Sequence, residues 1–128
     1  MIRGWGATLR AWALCAALLA LAPGPAGAHA IILESEPAAG AKLADPPPRI
    51  YLRFNSKIEK RLSRVTLAAE DGRPVPLVVK TDGSEKPDRI VLLLGLLRPG
   101  AYAVRYKVLA ADGHITEGAL RFIVLEPK

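Results

Sequence analysis

Apolar and polar residues alternate with a period of two through much of the chain. The stretch Arg49–Phe54, RIYLRF, puts Ile50, Leu52 and Phe54 on one face and Tyr51 and Arg53 on the other. Ala101–Leu109 sets Tyr102, Val104, Tyr106 and Val108 against Ala103, Arg105 and Lys107, and Ala119–Val124 turns Leu120, Phe122 and Val124 inward. Successive side chains of an extended chain point to opposite faces, so each stretch predicts a half-buried antiparallel strand. Shorter stretches at Ala30–Ser35, Arg64–Ala68, Val75–Lys80 and Arg89–Leu94 predict four more. Between them lie turn signals: EPAAG, DPPP, EDGRP, TDGSEKPD, LRPG and ADGH. Asp71-Gly72 reads as a hairpin turn, where glycine supplies the positive φ. Lys57–Leu62 reads as a helical turn or an irregular crossover. The expected architecture is all-β, with seven short antiparallel strands in a sandwich or small Greek-key barrel.

The amino-terminal segment has a different pattern. Arg3 and Arg10 form a basic region, Ala11–Ala22 is a short apolar run, Pro23, Gly24 and Pro25 break it, and Ala26-Gly27-Ala28 offers small residues for a signal peptidase. This is the layout of a secretory signal, and the apolar run is too short for a membrane span. Residues 1–28 are therefore expected to be a signal peptide and residues 29–128 one exported domain. A cut after Ala28 makes His29 the first residue of the working protein. Ala28-His29-Ala30 also fits a cleavage site, and a cut after Ala30 would discard that histidine; the spacing from the Pro/Gly break favours the first. The only cysteine, Cys15, and the only methionine, Met1, lie in the leader. The exported domain would then hold no disulfide and no sulfur ligand.

The formal charge is +6, with 18 basic and 12 acidic residues. The basic residues are scattered and not interleaved with aromatics, which suits a solvated surface rather than nucleic-acid binding. The candidate chemistry is in the histidines, of which there are two. His114 follows Asp112 by two residues with Gly113 between them, so the carboxylate and imidazole can face one point. Alone, that spacing equally describes an Asx turn carrying an exposed histidine. His29 alters the weighing. As a terminal residue its α-amine and imidazole Nδ1 would chelate one metal, His114 would add a third nitrogen and Asp112 an oxygen. An N₃O set suits Cu(II), which also leads the divalent affinity order. No serine–histidine–aspartate arrangement and no phosphate-binding glycine loop is present.

Two blocks carry a family resemblance. ESEPAAGAKLADPPPRIYLRF resembles the opening, and YAVRYKVLAADGHITEGALRFIV the close, of CopC-type periplasmic copper-binding proteins, with the Asp112–Gly118 block the most specific part. The resemblance spans nearly all of residues 29–128. It implies a cupredoxin-like (immunoglobulin-like) seven-stranded Greek-key β-barrel and one Cu(II) per chain, held by His29, Asp112 and His114. It also implies a periplasmic, non-enzymatic, monomeric protein that sequesters and delivers copper, with an inner-membrane copper transporter as partner. Three positions depart from the family pattern. Tyr106 stands where a tryptophan is usual and Ala110 where a serine is. Ser56 takes the place of a glutamate that some members set near copper, and Glu59 is out of register with it. Without a methionine beyond position 1, a methionine-rich Cu(I) site cannot be built. Two other readings compete: a copper monooxygenase with an amino-terminal histidine brace, disfavoured by the few aromatics, and a generic immunoglobulin-like interaction domain in which both histidines are incidental.

Overall fold

The computed structural model describes residues 30–80 and 85–128. Two β-sheets pack face to face. The first has the order β1 (Ile32–Glu36), β3 (Arg49–Phe54), β7 (Arg89–Leu94) and β6 (Leu77–Val79). The second has the order β2 (Lys42–Leu43), β9 (Ile115–Val124), β8 (Gly100–Leu109), β4 (Arg64–Ala69) and β5 (Pro74–Val75). A 3-10 turn, Lys60–Leu62, leads into β4, as the irregular 57–62 stretch predicted.

Alternation built the core as expected. Ile50, Leu52 and Phe54 of β3 and Ile90 and Leu92 of β7 face Val104 and Val108 of β8 and Leu120, Phe122 and Val124 of β9, all buried. No polar or charged residue is buried among the described residues. Tyr102 stacks on Phe122 with ring centroids 5.5 Å apart, and its hydroxyl donates to the Arg98 carbonyl at 2.6 Å. That bond ties down the Pro-Gly turn ahead of β8. The Asp71-Gly72 turn joins β4 to β5, with Gly72 at φ +83°.

Of the two expected arrangements the sheets form the sandwich and do not close into a barrel, and the described residues form nine strands where seven were expected. The predicted strand Val75–Lys80 is two strands in different sheets: β5 pairs with β4, and β6 pairs with β7. Pro76 lies between them and has no N–H to give a ladder, so the chain changes sheet there. The two-residue β2 pairs parallel to β9, a departure from all-antiparallel pairing. β1 begins at Ile32 rather than Ala30. β9 begins at Ile115 rather than Ala119, because its first inward positions are Thr116 and Gly118, which hide the alternation.

The sandwich end that matters for function is assembled from three segments. β8 and β9 form a long hairpin, paired from Gly100↔Val124 to Leu109↔Ile115, with Ala110–His114 at its tip. The segment after β3 lies against that tip: the Glu59 N–H donates to the Leu109 carbonyl, Ala111 N–H donates to the Lys57 carbonyl (both 2.9 Å), and Ile58 bridges Ala110. Ser63 adds a clamp, its hydroxyl donating to the Glu59 carbonyl at 2.9 Å and accepting from the Leu109 N–H at 3.0 Å. The start of β1 is the third segment.

Candidate metal centre

The hairpin tip is a tight turn for local reasons. Gly113 takes φ +88°, a conformation that L side chains rarely adopt, and its N–H donates to the Ala110 carbonyl at 2.9 Å. The Ala110 N–H donates to the His114 carbonyl at 2.9 Å, closing the loop. Asp112 then does two things. Its Oδ1 accepts the His114 backbone N–H at 3.0 Å, forming an Asx turn. Its Oδ2 lies 3.2 Å from His114 Nδ1. The turn predicted from Asp112-Gly113-His114 is present, and it carries the carboxylate and the imidazole together. The imidazole side chain is 59% exposed and the carboxylate 28%.

A carboxylate against Nδ1 fixes the ring's orientation and leaves Nε2 as the nitrogen that would meet a metal. Each carboxylate oxygen has a second lone pair, so Asp112 can orient the ring and still present a negative edge. Among the described residues, Asp112 and His114 gather no third His, Cys, Asp or Glu into a group able to hold an ion. His29 lies outside the described residues.

The described chain nonetheless starts at this same end. The Ile31 N–H donates to Asn55 Oδ1 at 2.8 Å, and the Asn55 N–H donates back to the Ile31 carbonyl at 3.0 Å. Ala30 is 1% exposed and part of the core. Asn55 is two residues before Lys57, which holds Ala111. Chain start, Asn55 loop and hairpin tip are thus linked by consecutive backbone bonds.

Asn55 is the residue that sequence reasoning missed. Its signal is an asparagine directly after a strand, where the side-chain amide can take over pairing that the ladder has stopped supplying. The long-range partner, Ile31, had no local signature. Ser56 is turned to the neighbouring Lys57 carbonyl at 3.3 Å. Tyr106 packs edge-on to Phe54, centroids 5.9 Å apart, and its ring lies over Gly118, so the last residue of the Asp112–Gly118 block is small because an aromatic ring covers it.

The CopC domain family matches residues 32–125. The chain belongs to the CopC domain family. A curated relative, Protein YobA of Escherichia coli K12, is 32% identical over 98 residues, covering 76% of this chain and 79% of its own. Among solved structures, CopC from Methylosinus trichosporium OB3b aligns with a TM-score of 0.70 at 31% identity, covering 76% of this chain and 94% of that one. PcoC, a methionine-rich copper resistance protein from Escherichia coli, aligns with a TM-score of 0.68 at 24% identity, covering 76% and 99%; at that identity the likeness speaks for the fold alone. The CopC domain here differs from that relative in composition, with one methionine in the chain, at position 1.

Proposed function

We propose that the chain is an exported copper-binding protein whose site holds one Cu(II) between His29, Asp112 and His114. One observation carries this reading: the described chain start, at Ala30 and Ile31, is bound through Asn55 to the loop that pairs with the hairpin bearing Asp112 and His114. His29 is one peptide bond from Ala30, and consecutive Cα atoms are about 3.8 Å apart. Membership of the CopC domain family, together with the nitrogen and oxygen donors of the site, supports copper as the metal. The leader-like residues 1–28 support cleavage after Ala28 and a periplasmic location.

In this reading the amino-terminal α-amine and imidazole chelate the ion, His114 Nε2 adds the third nitrogen, and Asp112 orients His114 and offsets charge. Nitrogen and oxygen donors suit Cu(II), whereas sulfur donors suit Cu(I). Reduction therefore loosens the grip, and the protein serves as a carrier that yields copper to an inner-membrane transporter rather than as a catalyst. Copper titration followed by electron paramagnetic resonance, on protein whose intact mass gives its first residue, tests this. One equivalent of a type-2 Cu(II) signal, abolished by His114→Ala and by removal of His29, is the expected result. Unchanged binding after either change overturns the assignment.

A further inference from the structure

We infer that the outer face of the five-stranded sheet docks the protein onto an anionic lipid surface. The register of that sheet fixes which residues share the face. Arg64 lies beside Lys107 and Lys107 beside Glu117; Thr66 beside Arg105 and Arg105 beside Ala119; Ala103 beside Arg121; and Lys42 beside Ile123. Five cations and one carboxylate thus stand on one plane, with neighbouring strands about 5 Å apart and same-face residues along a strand about 7 Å apart. Glu117 engages Lys107 at 2.8 Å. Among the described residues, no carboxylate comes within 4.0 Å of the charged groups of Arg64, Arg105, Arg121 or Lys42. Between the cations the outward positions Thr66, Ala68, Ala101, Ala103 and Ala119 are small, and the larger apolar side chains of the face, Ile123, Leu109 and Ile115, lie toward its two ends.

The opposite sheet shows that this is not a general property of the surface. There three cations on or beside the sheet are matched, Arg53 with Glu34 at 2.9 Å, Lys80 with Glu85 at 3.4 Å and Arg89 with Asp88 at 3.6 Å, and Arg49 alone among its strand cations has no carboxylate within 4.0 Å among the described residues.

An apolar tip adjoins the basic face. A hollow of about 320 Å³ is lined by Leu62, Arg64, Lys107, Val108, Leu109 and Ile115, with Leu62 74% and Ile115 57% exposed. Lipid surfaces bind proteins by this combination, apolar side chains entering the headgroup boundary while cations meet anionic lipid. An acidic protein partner would more commonly be met by aromatic anchors at the centre of the patch, and this face has none projecting outward. Docked this way, the protein carries the hairpin tip with Asp112 and His114 at the rim of the contact. The surface itself does not depend on copper; only its bearing on delivery rests on the function proposed above.

Residues 29–128 contain both sheets and the whole described core, so this chain serves for the test. It is co-sedimented with vesicles of pure phosphatidylcholine, and with vesicles of phosphatidylcholine mixed with phosphatidylglycerol, at low and high salt. Binding is expected to the mixed vesicles only, and to weaken with salt. Each cation near such a surface contributes roughly fivefold in partitioning. Arg64→Gln with Arg105→Gln should therefore lower it by about 25-fold, and Thr66→Lys should raise it about fivefold. Arg49→Gln, on the other sheet, should change it less than about twofold, because it lies away from the contact. Circular dichroism checks that the variants stay folded, and Thr66→Lys tests by a gain that misfolding cannot mimic. No binding to mixed vesicles overturns the inference, as does equal weakening by Arg49→Gln. Binding to soluble polyglutamate that exceeds vesicle binding, with the same residue dependence, also overturns it and assigns the face to an acidic protein.

Discussion

Adding a single methyl group at Gly118 tests how the sheet behind the candidate metal centre is packed. A Cβ there would collide with the hydroxyl and Cζ of Tyr106, its direct partner across β8 and β9. In an ordinary strand, replacing glycine by alanine is favourable by roughly 0.5–1 kcal/mol, because glycine loses more freedom on folding. Here the ring must move. Tyr106 would give up its edge contact with Phe54, worth about 0.5–1.5 kcal/mol, and forcing atoms into an occupied space costs about 1–3 kcal/mol. The clash outweighs the gain, and Gly118→Ala should destabilise by about 1–2 kcal/mol. Urea unfolding followed by circular dichroism reads this as a lower midpoint with unchanged slope. The same substitution in a Tyr106→Ser background, where nothing overlies the glycine, should be neutral or stabilising. The two effects differ in sign, so the cycle isolates the contact from general strand propensity. A neutral Gly118→Ala in the unmodified chain would refute the reasoning.

Three further outcomes follow from the site's surroundings. Thr116 faces inward at the same end, and its buried hydroxyl has no hydrogen-bond partner among the described residues. A buried hydroxyl left unpaired costs about 1–3 kcal/mol, so Thr116→Val should stabilise by about 1 kcal/mol, raising Tm by roughly 4–8 °C, as differential scanning calorimetry would show. Asn55→Ala removes the acceptor of the Ile31 N–H, and competition with a chelator should read a Cu(II) affinity about tenfold or more lower, the usual effect of losing an orienting neighbour. Copper binding should also weaken in acid. A free α-amine titrates near ~7.7–8.0 and must be neutral to donate, so below that range affinity should fall by about tenfold per pH unit for each proton displaced; a flat profile would exclude the amine.

What was legible in the sequence follows from where the physics is local. β3, β7 and β8 were readable because buried apolar residues alternate along them without interruption. The first half of β9 was not, because its inward positions hold Thr116 and Gly118, and the reason for Gly118 is a ring on another strand. β2 is too short to show a period, and Pro76 marks a change of sheet that local pattern alone does not reveal. At the site, Asp112-Gly113-His114 was readable because an Asx turn with a positive-φ glycine is decided within a few residues. Asn55 was not, because its partner lies 24 residues away and nothing in either segment names the other.

The site divides into a fixed part and a part that arrives. Asp112 and His114 are set by the hairpin: Asp112 holds the ring and the backbone of His114, and the tip is braced by Lys57 and Ser63. Little ordering entropy remains to be lost when these two meet an ion. In the proposed function the other two donors belong to one terminal residue beyond the Ile31–Asn55 pair. Releasing that residue alone would remove two of four donors while both sheets stay intact. A carrier needs this asymmetry, because its cargo must be held firmly and surrendered without unfolding. With four donors all on the braced hairpin, the ion would be held as tightly as the fold itself. In that reading Asn55, which fixes the backbone pair with Ile31 just after the terminal residue, would set how much chain must move for the metal to leave.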